Sequence, residues 1–331
     1  MGLPVGLHIK EGNQKRMPKV SVLMPMKNAE AYIEEAIESI FATNEESIEL
    51  IIVNDGSTDK SAEIINDIDD DRIIMLQGYG KGHPEAINKA LEAAKGEFVV
   101  NIDSDDICPA KRIEKQINWL SKHREFGAVC GSYTAINSKG RIIRQYECGD
   151  IEEEITEEIK TGKLRTTLCS YMIRTDVFKA IKGARSFFAC CCDLDIQYRL
   201  SEACRIWYLP EQFYFYRLHD ESITHSINNS VREYYHEKAR AFQIQRQSRG
   251  SDDLELGLSP HPTYELKSKP KRSKDHEIDL LIGAAWRLHG QMEKSKAIVT
   301  FLRVLNMRPL RINLWRSFMA ILLKPGPKQI Q

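Results

Sequence analysis

The chain has 331 residues, long enough for one large α/β domain with an appendage or for two domains. Its 47 basic and 47 acidic residues give zero formal net charge, which argues against a general nucleic-acid-binding protein because such proteins carry a basic excess. The eight cysteines lack the spacing of a structural zinc site, and residues 1–17 lack the apolar segment of a signal peptide, so we expect a reduced, cytoplasmic protein.

The first third of the chain alternates predicted strands with predicted helices. Runs of β-branched and apolar residues predict the strands, and apolar residues at helical spacing predict the helices. The predicted strands are Lys19–Met26, Ile48–Val53, Arg72–Leu76 and Glu97–Ile102, and the predicted helices are Glu30–Phe41, one from a Ser57 or Thr58 cap to Ile68, and Pro84–Lys95. This alternation indicates an α/β fold with a mostly parallel central sheet flanked by helices, whose ligands bind at the carboxyl ends of the strands.

Three carboxylates follow the fourth predicted strand: Asp103, Asp105 and Asp106. Like charges this close repel each other and lose hydration when buried, so a divalent cation held by oxygen ligands is one explanation. A solvated acidic turn that caps the next helix is the other. Polar residues also end the first two strands, at Pro25–Asn28 and Asn54–Asp59, and this coincidence favours a ligand site.

The rest of the chain predicts a mixed second half followed by a C-terminal helical appendage. Predicted strands are Phe126–Ile136, Arg141–Tyr146, Leu168–Ile173, Arg205–Leu209 and Phe213–Arg217, and predicted helices are Ala110–His123, Glu152–Lys160, Thr175–Ile181, Asp193–Ala203 and Val231–Gln247. Ser248–Lys274 is rich in Ser, Pro, Gly and charge, which predicts a linker or mobile loop. Two or three amphipathic helices are expected within His276–Leu323.

These elements divide the chain into a tail over 1–17, a main domain over 18–228, a helix and linker over 229–275, and a helical region over 276–331. The last region mixes arginines with Leu, Ile, Trp and Phe. This pattern suits an appendage that packs its apolar residues into a core and has a basic outer face. It also suits peripheral contact with the anionic inner face of the membrane.

Six segments of the main domain together resemble the family 2 glycosyltransferases, which have the GT-A fold. Their order and spacing make the resemblance specific, and it extends over Lys19–Ser226. They are VSVLMPMKN (Val20–Asn28), IIVNDGSTDKS (Ile51–Ser61), AINKALEAAKGEFVVNIDSDD (Ala86–Asp106), RIEKQ (Arg112–Gln116), CDLDIQYRL (Cys192–Leu200) and YRLHDESITHS (Tyr216–Ser226).

The resemblance implies an inverting transferase that moves a sugar from a nucleotide donor, commonly a UDP-sugar, to an acceptor hydroxyl. It implies that Asp55 binds the donor base, that Asp103 and Asp105 form the DxD motif, and that Asp193 is the catalytic base. Without the resemblance, Asp193 is more simply a helix N-cap. The expected donor contacts are Pro25, Lys27, Asn28, Asp55, Asn88, Asp103, Ser104 and Arg217.

A divalent cation is the expected cofactor, because a nucleoside diphosphate leaves only when its developing charge is neutralised. Carboxylate ligands suit Mg²⁺ or Mn²⁺. The expected metal ligands are Asp103, Asp105 and His219. For Arg217 and His219, contact with the diphosphate or metal and a satisfied polar role on a loop remain alternatives.

The expected partners are a nucleotide-sugar donor and a glycan, lipid-linked or protein acceptor, as in cell-surface polysaccharide or glycolipid synthesis. Three positions depart from the family pattern: Lys27 replaces an aromatic residue, Asn54 an acid and Cys192 a glutamate. A nucleotidyltransferase is an alternative, but it would need a Gly-rich basic loop after the first strand, and Pro25–Asn28 is not one. A catalytically silent sugar-nucleotide-binding protein is a second alternative. The joint presence of four aspartates argues against it: Asp55, Asp103, Asp105 and Asp193.

Overall fold

The computed structural model describes residues 17–43, 47–146, 148–261 and 272–324. The predicted N-terminal tail lies outside the described residues except for Met17, as do residues 262–271 of the predicted linker and 325–331 of the C-terminal region.

The first third folds as the predicted alternation of strands and helices. Its elements are β1 Val20–Met26, α1 Ile33–Phe41, β2 Ile48–Asn54, α2 Ser61–Asn66, β3 Ile73–Gln77, α3 His83–Ala93 and β4 Phe98–Asn101. Strands β1, β2 and β4 are buried along their whole length, as expected for apolar strands covered on both faces. The predicted Ser57 or Thr58 cap is wrong, because α2 begins only at Ser61 and has no side-chain cap.

The second half is mixed, as predicted, and a helical region ends the chain. Its elements are α4 Arg112–Lys122, β5 Ala128–Asn137, β6 Ile142–Gln145, β7 Glu153–Glu154, α5 Thr156–Lys160, β8 Met172–Arg174, α6 Thr175–Ala180, α7 Cys192–Ala203, β9 Ile206–Leu218, α8 Ile223–Ser226, α9 Asn229–Arg249, α10 Ser273–Gly290, α11 Lys294–Met307 and α12 Ile312–Leu323, with a 3₁₀ turn at Leu168–Ser170 before β8. The predicted α/β architecture with a central sheet flanked by helices and a C-terminal helical region is confirmed.

Three predicted elements differ from the observed ones. The strand predicted over Leu168–Ile173 is a 3₁₀ turn at Leu168–Ser170 followed by β8, and the other two differ for physical reasons. The two strands predicted over 205–217 are one strand, β9. At the predicted break the pairing of β9 with β5 shifts: Gly131 pairs with Leu209, but the next residue, Ser132, pairs with Gln212. Pro210 lies at this irregularity, where it can lack an N–H without breaking the strand. The helix predicted from Glu152 starts at Thr156, because Glu153 and Glu154 pair with β9 instead.

The sheet brings the ends of its central strands side by side. The strand order is β3-β2-β1-β4-β8-β5-β9-β7, with β6 paired to β5. Strand order reverses at β1, which lies between β2 and β4 and is parallel to both, and such a reversal opens a crevice at the carboxyl ends of the strands. Because β8 is antiparallel to both β4 and β5, and β9 is parallel to β5, the carboxyl ends of β5 and β9 reach the same edge.

The C-terminal helices form their own apolar core against the main domain. Helices α10, α11 and α12 pack around Phe301, and Ala135, Ile143 and Leu218 of the main domain join this core. No helix among the described residues is both long and apolar enough to span a bilayer.

The described part of the predicted linker is anchored rather than loose. Asp252 is fully buried and pairs with Arg185, at 2.6 Å, and with Arg246. The predicted linker is therefore fixed to the main domain at Asp252, which composition does not reveal, and its role as a linker stays a prediction.

Candidate active site

One large cleft opens at the carboxyl ends of β1, β2 and β4, with a volume of about 1380 Å³. The lining includes most of the predicted site and several tyrosines from β5 to β9. The predicted residues that line it are Pro25, Lys27, Asn28, Asp55, Asp103, Ser104, Asp105, Asp193 and His219.

The loops that follow β1 and β2 are locked together by side chain–backbone hydrogen bonds. The Asn28 side-chain oxygen accepts from the Thr58 N–H at 2.8 Å, and the Asn28 N–H donates to the Ser57 hydroxyl at 3.0 Å. Asn28 has a left-handed φ of 53°, which asparagine tolerates better than most residues. Asn28 thus fixes the floor of the cleft, and Lys27 beside it is exposed.

The Asp55 carboxylate holds the glycine loop that follows β3. It is buried, and its two oxygens accept from the N–H groups of Gly80 and Gly82, each at 2.7 Å. Gly78 approaches so closely that a Cβ there would lie 2.6 Å from Asp55 Oδ1 and 2.8 Å from its Cα. The glycine loop therefore borders the cleft through Gly82, and it also fixes the orientation of Asp55.

The acidic turn after β4 is held in place by β9. The Tyr214 hydroxyl accepts from the Asp103 N–H at 3.1 Å and donates to the Asp106 carboxylate at 2.5 Å. Ile107 and Phe215 exchange two backbone hydrogen bonds, each of 3.1 Å. Asp106 is buried beneath this turn, where its carboxylate accepts from Tyr214 and from the Arg217 N–H and so helps to hold the turn in place.

The two DxD carboxylates each contact a histidine. Asp103 Oδ1 lies 3.1 Å from His83 Nε2, and Asp105 Oδ2 lies 2.6 Å from His219 Nε2. Burial alone would lower the pKa of His83 and raise that of Asp103, but it is outweighed in both cases by their hydrogen bond and mutual attraction together with a cysteine contact, from Cys192 to His83 and from Cys169 to Asp103. The pKa of His83 is therefore raised well above its usual value and that of Asp103 is lowered, which makes them an ion pair.

The donor chemistry of this turn fits Mg²⁺ or Mn²⁺. Asp105 supplies carboxylate oxygens and His219 supplies an imidazole nitrogen beside them, a combination that Mn²⁺ accepts readily. Among residues 17–43, 47–146, 148–261 and 272–324, however, no group of three or more His, Cys, Asp or Glu side chains is arranged to hold a metal ion. The predicted set of Asp103, Asp105 and His219 is thus not gathered into one cluster, because Asp103 pairs with His83 instead.

Asp193 and Asp195 start the same helix and have different surroundings. Asp195 is fully buried and pairs with Arg185 and with Arg199, the latter at 2.9 Å, so it is a structural residue. Asp193 lines the cleft and is half-buried, and burial raises the pKa of its carboxyl above the ordinary value. Asp193 thus resembles a general base more than Asp195 does.

Two predicted donor contacts do not line the cleft. The Asn88 side-chain amide makes two 2.8 Å hydrogen bonds with the backbone of Ala184. The Arg217 guanidinium is buried beneath the acidic turn, where it donates to the Asp105 carbonyl and to Glu35, each at 2.7 Å. In this structure Asn88 and Arg217 are therefore supporting residues. Arg217 is turned away from the cleft because side chains alternate along β9 and its neighbour Tyr216 faces the cleft.

Sequence reasoning missed Tyr214 and Asn101. Tyr214 joins the site from 108 residues away, and no local signal reveals it. Asn101 lines the cleft, is buried, and has neither amide atom hydrogen-bonded. An asparagine that ends the apolar run of β4 was the available signal, because buried polar groups normally find a partner.

Comparisons with known proteins agree on one family. The family model described as glycosyl transferase family 2 matches residues 21–182. A putative glycosyltransferase of Bacillus subtilis, EpsE, is 30% identical over 228 residues, which cover 65% of this chain and 80% of EpsE. An uncharacterized glycosyltransferase of Haemophilus influenzae is 37% identical over 131 residues, 39% of this chain and 52% of that protein.

The matches to the first two curated relatives span only 52% and 43% of those proteins. Among solved structures, residues 1–349 of Staphylococcus aureus TarS in complex with UDP-GlcNAc match with a TM-score of 0.57 at 17% identity, covering 94% of this chain and 93% of that one. At this identity the likeness concerns the fold, and it agrees with the sheet described above.

Proposed function

The chain belongs to glycosyl transferase family 2 and is a glycosyltransferase, and from this membership we propose that it inverts the sugar that it transfers from a UDP-sugar to an acceptor hydroxyl. A solved protein of the same fold was captured with UDP-GlcNAc, which supports a UDP-linked donor. The proposed acceptor is a glycan, free or linked to lipid or protein, in cell-surface polysaccharide or glycolipid synthesis.

The observation that carries this proposal is that Asp193 shares one cleft with the Asp105–His219 pair. Inverting transfer is a direct displacement in which a base removes the proton of the acceptor hydroxyl as that oxygen attacks the anomeric carbon. Burial raises the pKa of Asp193, and a more basic carboxylate takes this proton more readily.

The donor end of the cleft is proposed to read the nucleotide through Asp55, Asn28 and Lys27. Asp55 faces the base, and the exposed ammonium group of Lys27 is available to a phosphate oxygen. Asp105 and His219 would hold Mg²⁺ or Mn²⁺, which neutralises the charge that develops on the leaving diphosphate. Asp103, already paired with His83, orients the turn.

The size of the cleft leaves room for an acceptor beside the donor. Its volume of about 1380 Å³ exceeds the roughly 300–1,000 Å³ typical of a site for one small ligand. The rings of Tyr133 and Tyr146 stack within the cleft with their centroids 4.2 Å apart, and aromatic ring faces can pack against the apolar face of a sugar.

Release of UDP from a panel of UDP-sugars, with Mn²⁺ and with chelator, tests the proposal. We expect slow metal-dependent hydrolysis of one donor and faster release when the right glycan is added. If no donor in the panel gives metal-dependent release of nucleoside diphosphate, the proposed donor class is wrong.

Asp193→Asn tests the catalytic base. We expect transfer to fall by roughly 10²–10⁴-fold while UDP affinity stays unchanged, because the amide cannot accept the proton. Asp176→Asn is the matched control, since Asp176 is an exposed aspartate in the first turn of α6. In the wild type, activity should decline as the pH falls through the raised pKa of Asp193, at a higher pH than for an ordinary aspartate. Normal turnover by Asp193→Asn would remove this residue from the mechanism.

A further inference from the structure

Helix α12 has apolar residues on two sides. Leu314, Phe318 and Ile321 are buried in the C-terminal core. A second set stays exposed, with exposed fractions of 70% for Ile312, 46% for Trp315, 45% for Met319 and 74% for Leu323. At 3.6 residues per turn these four side chains fall within an arc of about 80° on the far side of the helix. Core packing explains the first set and leaves the second unexplained.

The turn between α11 and α12 extends this exposed surface. Leu310 in the turn is 94% exposed. The Trp315 indole N–H donates to the Pro309 carbonyl at 2.8 Å, which fixes the indole against the turn. We call Leu310, Ile312, Trp315, Met319 and Leu323 the corner patch.

The chain segment that carries the corner patch has basic residues and no acidic ones. Residues 294–324 contain seven basic residues and no acidic one, whereas the whole chain has 47 of each. Arg308 pairs with Asp275 at 3.2 Å, but Arg311, Arg316 and Lys324 are exposed. The basic residues are Lys294, Lys296, Arg303, Arg308, Arg311, Arg316 and Lys324.

We propose that the corner patch docks on an anionic lipid surface. Apolar side chains of an amphipathic helix enter the boundary between headgroups and acyl chains, while arginines at the rim contact lipid phosphates. Because no described helix can span a bilayer, the contact is peripheral.

Charge complementarity favours lipid over other occupants. A second copy of the chain, placed symmetrically on this surface, would bring Arg311 and Arg316 against the same residues of its partner, and like charges across an interface are unfavourable. A nucleic acid would engage the arginines but leave the five apolar side chains exposed. An anionic bilayer satisfies both features.

Docking through this surface would place the catalytic cleft near the membrane. Helix α10 contacts the main domain through His276, whose ring nitrogen lies 3.0 Å from that of His225. His225 belongs to α8, and Ser222 and Ile223 at the start of that helix line the cleft.

Cosedimentation of the full chain with vesicles tests the proposal, without donor or acceptor, so that its result is independent of the proposed function. We expect the wild type to bind vesicles of phosphatidylcholine with phosphatidylglycerol and not vesicles of phosphatidylcholine alone. Binding should weaken as salt is raised, because surface charges are screened. Leu310→Ser with Ile312→Ser should weaken binding by roughly ten-fold or more, and Arg311→Gln with Arg316→Gln should remove the preference for anionic lipid.

Leu256→Ser with Leu258→Ser is the matched control, because these leucines are also exposed but lie on another part of the surface. Circular dichroism checks that each variant is folded. Trp315→Phe should keep binding but abolish the part of the vesicle-induced fluorescence change that comes from Trp315. Failure of the wild type to bind anionic vesicles, or equal binding by the corner variants, overturns the proposal. A dimer that Leu310→Ser with Ile312→Ser dissociates, without vesicle binding, assigns the corner patch to a second copy.

Discussion

A single hydroxyl group, that of Tyr214, joins the acidic turn after β4 to strand β9. It bridges the Asp103 N–H and the Asp106 carboxylate. We expect Tyr214→Phe to lower the free energy of unfolding by about 1–3 kcal/mol, because it leaves buried polar groups unpaired. It should also weaken binding of Mn²⁺ and UDP, since the turn that carries Asp103 and Asp105 is released. Urea denaturation and calorimetric titration measure the two effects.

Tyr208→Phe is the control for this variant. Tyr208 is a buried tyrosine on the same strand, and its hydroxyl contacts Ser132 and Gly149, outside the cleft lining. It should lower stability by a similar amount and leave ligand affinity unchanged. Equal losses of affinity in both variants would mean that Tyr214 acts only through general stability.

The residues whose chemistry is local were predictable from sequence, and those that depend on distant contacts were not. The close carboxylates of Asp103 and Asp105 indicated a charged ligand, and they lie in the cleft. The donor contact predicted for Arg217 followed from its place near His219, but strand alternation turns Tyr216 towards the cleft and leaves the Arg217 guanidinium buried beneath the acidic turn.

At the scale of elements, the glycine loop after β3 depends on close approach to β2. Ala at position 78 would place its Cβ 2.8 Å from the Asp55 Cα, and backbone cannot yield as a flexible side chain can. We expect Gly78→Ala to displace the loop, break the hydrogen bonds of Asp55 to Gly80 and Gly82, and weaken UDP binding by roughly ten-fold or more while the chain stays folded.

The control for the glycine loop is Gly140→Ala in the turn between β5 and β6. Gly140 has a φ of 72°, and no atom lies within 4 Å of the place that an alanine Cβ would take, so alanine there costs only about 1 kcal/mol of backbone strain. Thermal unfolding should reveal that cost while UDP affinity is unchanged. If Gly78→Ala binds UDP normally, the loop does not position Asp55.

The segment around Asp252 shows a limit of composition-based prediction. Burial opposes ionisation of Asp252, but the hydrogen bonds from Arg185, the Glu255 N–H and Arg246 and the charge of Arg185 together outweigh burial and lower its pKa. Asp252→Asn removes a carboxylate shared by Arg185 and Arg246, which keep Asp195 and Glu202 as partners, and we expect a loss of about 1–3 kcal/mol of unfolding free energy near neutral pH.

The same pair gives stability a definite pH dependence. Because folding lowers the pKa of Asp252, its contribution is present above the unfolded-state pKa and is lost as the pH falls through the folded-state pKa. Denaturation of the wild type should therefore be more acid-sensitive than that of Asp252→Asn. Asp253→Asn, which removes a solvent-exposed pair with Arg249, is the control and should cost much less stability than Asp252→Asn, because water screens the pair.

At the scale of the whole molecule, the order of strands and helices was predictable, but the contacts between distant parts were not. Amphipathic periodicity predicted helices after His276, and the structure packs them on Ala135, Ile143 and Leu218. No pattern in the sequence identifies which surface an amphipathic helix covers, because many apolar faces would satisfy it. The predicted division at residues 228 and 276 stays a prediction, since the apolar core of the C-terminal helices includes residues from both sides.

One contact between the main domain and the C-terminal helices joins two histidines, His225 and His276. This contact predicts how docking of the C-terminal helices responds to pH. The Nε2 atom of His225 lies 3.0 Å from Nδ1 of His276, and its Nδ1 lies 2.8 Å from the Ser222 hydroxyl. Burial lowers the pKa of His225, and the charges of Arg232 and His219 lower it further. A hydrogen bond with the His219 backbone and the carboxylate charge of Asp220 raise it, but by less. The docked state therefore favours neutral His225, so docking is strongest above the ordinary histidine pKa and weakens as the pH falls through it.

Hydrogen exchange of Ser273–Gly290 at about pH 7.5 and about pH 5.5, corrected for the intrinsic pH dependence of exchange, measures this effect. We expect faster exchange in α10 at the lower pH in the wild type. His225→Gln should remove the difference, because glutamine keeps a polar contact but does not take up a proton, and His236→Gln on the exposed side of α9 should keep it. Equal acid-induced exchange in the His225→Gln variant would show that other groups control docking. The expected outcome would make the junction between the main domain and the C-terminal helices responsive to mild acidification through His225, whose protonation the docked state opposes.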